Sequence, residues 1–363
     1  MPTMKQVIGL ASTNVECRIE SASIPEPSDN QVLIKVVVSG SNPKDWKVPT
    51  WSAAYDGPDD GSWQARAKKG MNHGDDIAGV VEEVGKNVIT FKKGDRVAAF
   101  HEMQSPGGSY AEYALAPEHT TFHIPPSKSF EEAATIPLAA LTAAVSLFHH
   151  LRLPAPWAPA VKPTPLLIYG ASSAVGSFAI KLARNSNIHP IIAVAGKGTA
   201  FVETLLDHSK GDIVFDYRNG DEEVVKAIRS HLKAGNYGDV RYGVDPGMGD
   251  SSRKVLTEIV ASDGAINIVL PSDWDTGAAV KTTTMVGSVH SEVDKNHGDA
   301  RDLGLVTCRW FTKALQADTF SGHPFEVRDG GLEGVPQALR DLKDGKNSAT
   351  KYVFRIADTP GIN

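Results

Sequence analysis

The stretch Leu166-Leu-Ile-Tyr-Gly-Ala-Ser-Ser-Ala-Val-Gly-Ser-Phe-Ala-Ile-Lys-Leu-Ala-Arg184 has residue types that can hold a phosphate. Leu166 to Tyr169 is an apolar run suited to a buried parallel strand. Small residues run from Gly170 to Gly176, and Val175, Phe178, Ala179, Leu182 and Ala183 then recur at helical spacing. A strand that feeds a helix through a tight turn aims the unpaired N–H groups of the helix start at an anion. Gly170 permits the turn, and Gly176 lets the helix pack close to the strand. Ser172 and Ser173 stand where the usual fingerprint has its middle glycine. Their hydroxyls are donors near a pyrophosphate, in the same cradle as Ala174 and Val175.

The flanks bear on which dinucleotide would fit. A carboxylate for the ribose hydroxyls of NAD belongs at the end of the next strand, about 20 residues past the turn. That position holds Ala195-Gly-Lys-Gly198. With Gly196 and Lys197 there and no carboxylate to repel a 2′-phosphate, NADPH is favoured over NADH. Tyr217, at the end of a third strand, either flanks the same phosphate or ribose or is a half-buried aromatic tip.

The elements around this stretch alternate. Pro190–Ala195, Asp212–Tyr217, Val240–Asp245 and Ala265–Leu270 read as strands. Thr199–His208, Glu222–Ala234 and Ser252–Ala261 read as helices. Such alternation predicts an α/β, doubly wound parallel sheet. Upstream the texture is β. Gln31–Val38, Ile77–Val84 and Arg96–Phe100 are rich in β-branched or small apolar residues, with Gly and Asp turns between them, which predicts a barrel-like domain. Val48 to Lys69 lacks periodicity and reads as a long loop, with Trp46, Trp51, Tyr55 and Trp63 in and beside it. Phe130–Phe148 is alanine-rich and helical, N-capped by Ser129 and broken or kinked by Pro137. A proline-rich connector, Leu153–Pro165, is predicted to be an extended surface loop. The tail has one helix, Gly334–Lys343, and one strand, Tyr352–Ile356. It is too small to fold alone and is expected to return to the first domain. The expected division is 1–128 with 320–363 against 129–319.

Bulk composition narrows the function. The 363 residues are 41% hydrophobic and 22% charged, with a formal charge of −6 and no long basic run. Nucleic acid is not an expected partner, since phosphate neutralisation needs clustered Lys and Arg. No apolar run approaches the roughly 20 residues of a membrane span, and the N-terminus turns polar too soon for a signal peptide. The only cysteines are Cys17 and Cys308, which exclude a disulfide framework and any zinc site needing three or four thiolates. A reducing, cytoplasmic location is the expectation.

Four stretches carry a family resemblance along nearly the whole chain: Ser41-Asn-Pro-Lys-Asp-Trp-Lys47, His73-Gly-Asp-Asp-Ile-Ala-Gly-Val-Val81, Phe91-Lys-Lys-Gly-Asp-Arg-Val97 and Gly170-Ala-Ser-Ser-Ala-Val-Gly176. The sequence resembles the medium-chain dehydrogenase/reductase superfamily. That implies a GroES-like β-barrel-type catalytic domain and a Rossmann cofactor domain. The zinc-binding alcohol dehydrogenases have a cysteine where Asn42-Pro43 stand and Gly-His-Glu where His73-Gly74-Asp75 stand. The chain is therefore similar to the zinc-free quinone oxidoreductase and enoyl reductase branch, and no metal is expected. Asn42 to Lys47, the proline-rich connector and Val214-Phe-Asp-Tyr-Arg218 are similar to fungal trans-acting enoyl reductases of the lovastatin and toxin-cluster type. The glycine turn is nearer the quinone-reductase pattern.

The resemblance implies reduction of an activated C=C bond. A hydride goes to the β-carbon, and the enolate is then protonated. It implies Lys47 as electrophile or proton donor and Thr142 as a hydroxyl facing the nicotinamide. Asn42, Pro43 and Asp45 would shape the loop beneath the nicotinamide, Val269 and Leu270 would offer backbone groups to the carboxamide, and Lys351 would stand on the cofactor side. Trp51, Tyr55 and Trp63 either line an apolar substrate pocket or form a satellite core. The substrate would be a small molecule or an enoyl group tethered to a carrier, with a polyketide synthase as the partner. The alternatives left open are an NADPH:quinone or carbonyl oxidoreductase and an NADPH-binding protein with little turnover. Lys281–His290 is either an edge strand that pairs two subunits or a covered edge, so monomer and homodimer both stay open.

Overall fold

The structure, a computed structural model, describes residues 2–247, 249–290 and 300–362. The chain separates into two units, one built mainly from Met1–Leu138 and Gly304–Asn363 and the other from Ala139–Ser288.

In the first unit β1 (Thr3–Gly9) and β2 (Cys17–Ser23) form an antiparallel ribbon. β3 (Gln31–Gly40) runs into α1 (Lys44–Ala53) and α2 (Trp63–Lys68), followed by β4 (Asp76–Val84), β5 (Arg96–Phe100), β6 (Tyr113–Pro117) and β7 (Thr121–His123). Val48–Lys69 is thus not one long loop. The buried positions of α1 are Asp45, Val48, Pro49 and Ser52, which keep helical spacing. Two of the four are polar, so no apolar period marks the helix. Ser62 caps α2 by accepting from the Ala65 N–H.

α3 (Phe130–Ala133) and α4 (Pro137–Ala144) follow, and Pro137 opens the second helix rather than bending a single one. Val145–His150 continues as a π-helical turn. The stretch Phe130–His150 is long and apolar enough to cross a membrane by length and composition, contrary to the expectation above. Yet 83% of its central window is buried within the protein, as in a core helix.

The second unit contains β8 (Leu166–Tyr169), α5 (Ala174–Asn185), β9 (Ile191–Ala195), α6 (Thr199–Glu203), β10 (Ile213–Asp216), α7 (Asp221–Gly235), β11 (Val240–Asp245), α8 (Asp250–Ile259), β12 (Val260–Ile268) and β13 (Val280–Thr283). All six strands pair in parallel in the order β10-β9-β8-β11-β12-β13. The order reverses between β8 and β11, where a ligand crevice opens at the carboxyl ends of the strands in folds of this kind. β13 is an edge strand and leaves Val280 61% exposed.

The tail adds α9 (Arg301–Gln316), β14 (Phe325–Val327), α10 (Val335–Lys343) and β15 (Lys351–Arg355). β15 pairs antiparallel with β3, so the tail returns to the first sheet, ordered β14-β15-β3-β4-β5-β7 with β6 on β3. The units divide after Leu138 and near Gly304 rather than at 128 and 320. Local contacts explain the shift. Phe130 lies 4.1 Å under the Arg96 guanidinium, and Glu131 pairs with Arg355 at 2.8 Å. Phe311 meets Phe122 edge-on at 5.3 Å, and Arg309 donates to the Thr121 carbonyl.

Candidate active site

In the second unit the glycine turn has the shape a dinucleotide needs. Gly170 takes φ +72°, open to glycine at no cost. A Cβ on Gly176 would lie 2.4 Å from the Gly170 carbonyl oxygen, so only glycine lets α5 start this close to β8. Ser173 serves its own helix first. It is the N-cap, and its Oγ accepts the Gly176 N–H at 3.0 Å. The cap uses an oxygen lone pair, so the hydroxyl hydrogen is still the donor expected of Ser173. The N–H groups of Ala174 and Val175 lie in the first turn and have no intrahelical acceptor. Together with half-buried Ser172 they form a donor set that fits a pyrophosphate.

Next to this turn β9 ends at buried Gly196 and exposed Lys197. A Cβ on Gly196 would come 2.5 Å from the Tyr217 ring, so Tyr217 packs over that glycine. The Tyr217 ring also stacks on Tyr169 at 6.0 Å while remaining 41% exposed. The Tyr169 hydroxyl is bonded to Ser251 Oγ at 2.7 Å, and Ser251 donates to Asp221. A carboxylate does stand near the β9 end, on the next strand. Asp216 pairs in register with Ala195. Arg218 grips it through Nε and Nη2, and this hydrogen bonding lowers its pKa to about 2. The Asp216 charge is therefore answered by Arg218, a residue whose role no spacing rule reveals. Val269 and Leu270 follow the end of β12 and are half-buried. Thr142 is 5% exposed on α4.

In the first unit Asn42, Asp45 and Lys351 are brought together by a residue outside the expected set, Asp76. Asn42 Nδ2 donates to Asp76 Oδ2 at 2.8 Å, and the Asn42 N–H donates to Asp45 Oδ2 at 2.7 Å. Lys351 is 5% exposed. Its ammonium donates to Asp76, to Asn42 Oδ1 at 3.3 Å and to the Thr135 carbonyl at 3.3 Å. A lysine has three N–H donors. All are committed, so Lys351 is a buried internal partner rather than a lysine presented to a cofactor. Pro43 is the exposed N-cap of α1.

A second ionic cluster adjoins the first. Lys44 pairs with Asp75 and with Asp45 at 3.2 Å and donates to the His73 carbonyl at 2.6 Å. Burial opposes its charge, yet Asp75 and Asp45 hold its pKa above the ordinary lysine value. Burial likewise opposes the charge on Asp75, while Lys44 and His101 hold its pKa below the usual carboxylate range. Both nitrogens of His101 are engaged, Nδ1 with Asp75 at 3.0 Å and Nε2 with the Pro106 carbonyl at 3.1 Å. Burial, followed by the field of Lys44, lowers the His73 pKa to about 3, so this imidazole is neutral. Among the described residues no group of three or more His, Cys, Asp or Glu is placed to hold a metal ion.

Lys47 is half-buried on α1, its ammonium 5.7 Å from the Trp46 ring centre. Burial alone lowers its pKa. Trp51 is 47% exposed, and Trp63 is half-buried. Tyr55 folds over Gly57 and donates to the Pro58 carbonyl, a local contact within its own loop.

Known proteins are similar to this chain. Residues 28–126 match the alcohol dehydrogenase GroES-like domain. The chain is 39% identical to the trans-enoyl reductase fsr4 of Gibberella fujikuroi, over 92% of this chain and 93% of that one. It is 29% identical to the trans-enoyl reductase ACTTS2 of Alternaria alternata, over 94% and 96% of the two chains. The quinone oxidoreductase from Coxiella burnetii has the same fold, with a TM-score of 0.70 at 21% identity over 98% and 99% of the chains. The chain belongs to the medium-chain dehydrogenase/reductase superfamily, in the quinone oxidoreductase and enoyl reductase branch that contains the fungal trans-enoyl reductases.

Proposed function

We propose that this oxidoreductase reduces the activated C=C bond of an enoyl or enone substrate with NADPH. The observation that carries this reading is the carboxyl edge of β9 and β10. Lys197 and Arg218 are exposed there, Tyr217 lies over Gly196, and the Asp216 carboxylate is already paired. Gly170, Gly176 and the free N–H groups of Ala174 and Val175 would hold the pyrophosphate. Lys197 and Arg218 would hold the 2′-phosphate.

When bound, NADPH supplies the hydride that the β-carbon accepts. Charge then collects on the substrate carbonyl oxygen, and the α-carbon needs a proton. Lys47 suits that donation. Burial lowers its pKa, so it gives up a proton more readily than a surface lysine. Turnover then falls as pH rises through the lowered value. Thr142 offers a hydroxyl to the cofactor ribose or to the substrate carbonyl. The kinship with trans-enoyl reductases supports an enoyl group delivered free or on a carrier of a polyketide synthase.

The test presents an enone, an enoyl thioester and a quinone to the enzyme with NADPH, and resolves the products. Reduction of the enone or thioester at C=C is expected, and consumption of the quinone alone overturns the reading. Lys47→Ala should lower kcat by about 10²-fold or more if Lys47 is the acid. Undiminished turnover would remove Lys47 from that role.

A further inference from the structure

Asp76 opens β4, is 0% exposed and receives donors from three separate segments. The Leu138 N–H donates to Oδ1 at 2.7 Å. Asn42 Nδ2 donates to Oδ2 at 2.8 Å, and Lys351 donates to the same oxygen. Two of these donors sit at helix starts. Asn42 precedes Pro43, the N-cap of α1, and its own N–H bonds to Asp45 in the first turn of that helix. Leu138 follows Pro137, which has no N–H, so the Leu138 N–H is the first donor α4 has to satisfy. An anion is also favoured there by the helix dipole. The end of β3 is shaped around this carboxylate. A Cβ on Gly40 would come 2.3 Å from the Ala134 carbonyl oxygen and 3.1 Å from both Asp76 Cβ and Lys351 Cε.

We propose that Asp76 is a positioning residue. One carboxylate pins the start of the helix that carries Lys47 and the start of the helix that carries Thr142, and Lys351 is its buried ion-pair partner. The choice of these two helices as the reacting ones rests on the function proposed above. The pinning does not. Charge-assisted hydrogen bonds from both helices to one atom group restrain them more tightly than separate caps would. Removing them should shift both helix starts and leave the glycine turn of the second unit as it is.

The test uses the full chain with Asp76→Leu and Lys351→Met combined. This removes both charges and leaves no unpaired ion buried. Amide hydrogen exchange should rise by about tenfold or more in residues 43–50 and in residues 138–144, with α5 unchanged. The Kd for NADPH, read by fluorescence, should stay within about twofold, while kcat falls about 10²-fold, the scale of a misplacement of about 1 Å. Should the double variant fail to fold, Asp76→Asn combined with Lys351→Met keeps the shape with a single acceptor oxygen, leaves no unpaired ion buried and gives the same readout. Unchanged exchange in either helix overturns the pinning, and raised exchange in both with normal kcat overturns the positioning role. A wild-type enzyme inert on every enone and thioester would sink the proposed function, and the exchange data would still decide what Asp76 holds.

Discussion

Asp45, Asp75 and Asp76 are each at most 1% exposed, and Lys44, Lys351, His101 and Tyr110 close around them. At the carboxyl edge of the other sheet, Lys197, Tyr217 and Arg218 lie in water, and the most regular donors are backbone N–H groups. The first arrangement gives up hydration to fix geometry, and its members are worth most as a set, since removing one strands another. The second keeps its charges solvated, where pairs contribute little to stability but remain available to a ligand. In this protein burial of charge marks what holds positions, and exposure of charge marks what stays available to a ligand.

The largest expected effect breaks the buried side of this contrast. Asp75→Ala takes the closer of two carboxylates from buried Lys44 and the Nδ1 partner from His101, and should cost about 3–5 kcal/mol in urea denaturation. A loss below about 1 kcal/mol would show that the cluster carries no such interdependence. The open edge should behave in the opposite way. Combined Lys197→Ala and Arg218→Ala should leave the unfolding free energy within about 1 kcal/mol. It should weaken NADPH binding by about 10- to 100-fold, the worth of a charged hydrogen bond, with NADH binding unchanged. An equal loss for both dinucleotides in calorimetry would deny the edge any part in choosing between them. The smallest effect is a pH dependence. Burial raises the Asp45 pKa to about 6, and Lys44 opposes the rise only in part. The folded chain thus binds this proton more tightly than the unfolded chain does. Ionising Asp45 therefore costs stability progressively as pH rises from the ordinary carboxylate range through about 6. Asp45→Asn escapes that cost, so its Tm relative to wild type should climb between about pH 4 and pH 7. A flat difference would show that Lys44 fully compensates the burial.

How far the site could be read in advance follows the same division. The strand–turn–helix at Leu166–Arg184 is local, so periodicity and glycines exposed it, and the alternation after it led to the parallel sheet. Lys197 and Tyr217 can be placed at strand ends in advance because those ends have a fixed offset from the turn. Arg218 was passed over because its work is to neutralise Asp216, a pairing with no motif. The buried cluster is non-local. Asp76 meets Leu138 and Lys351 across 62 and 275 residues, and Asp75 meets His101 across 26. No spacing links such partners. The resemblance puts Lys351 on the cofactor side, and a lone lysine in a sequence carries no sign of its Asp76 partner. α1 escaped notice for a related reason. Its inward face includes Asp45 and Ser52, and a helix that buries polar groups for a network has no apolar stripe.

Ser173 carries one more consequence, in the denatured chain. Its φ of −67° is open to any L-residue, so glycine is not required there. A glycine in its place would give the unfolded ensemble more conformations to lose, worth about 0.4–1 kcal/mol. The serine-bearing turn is therefore the stiffer form of the glycine-rich pattern, and much of its shape is set before any ligand arrives. A turn that departs from the motif is, in this chain, one that leaves less ordering for the cofactor to do.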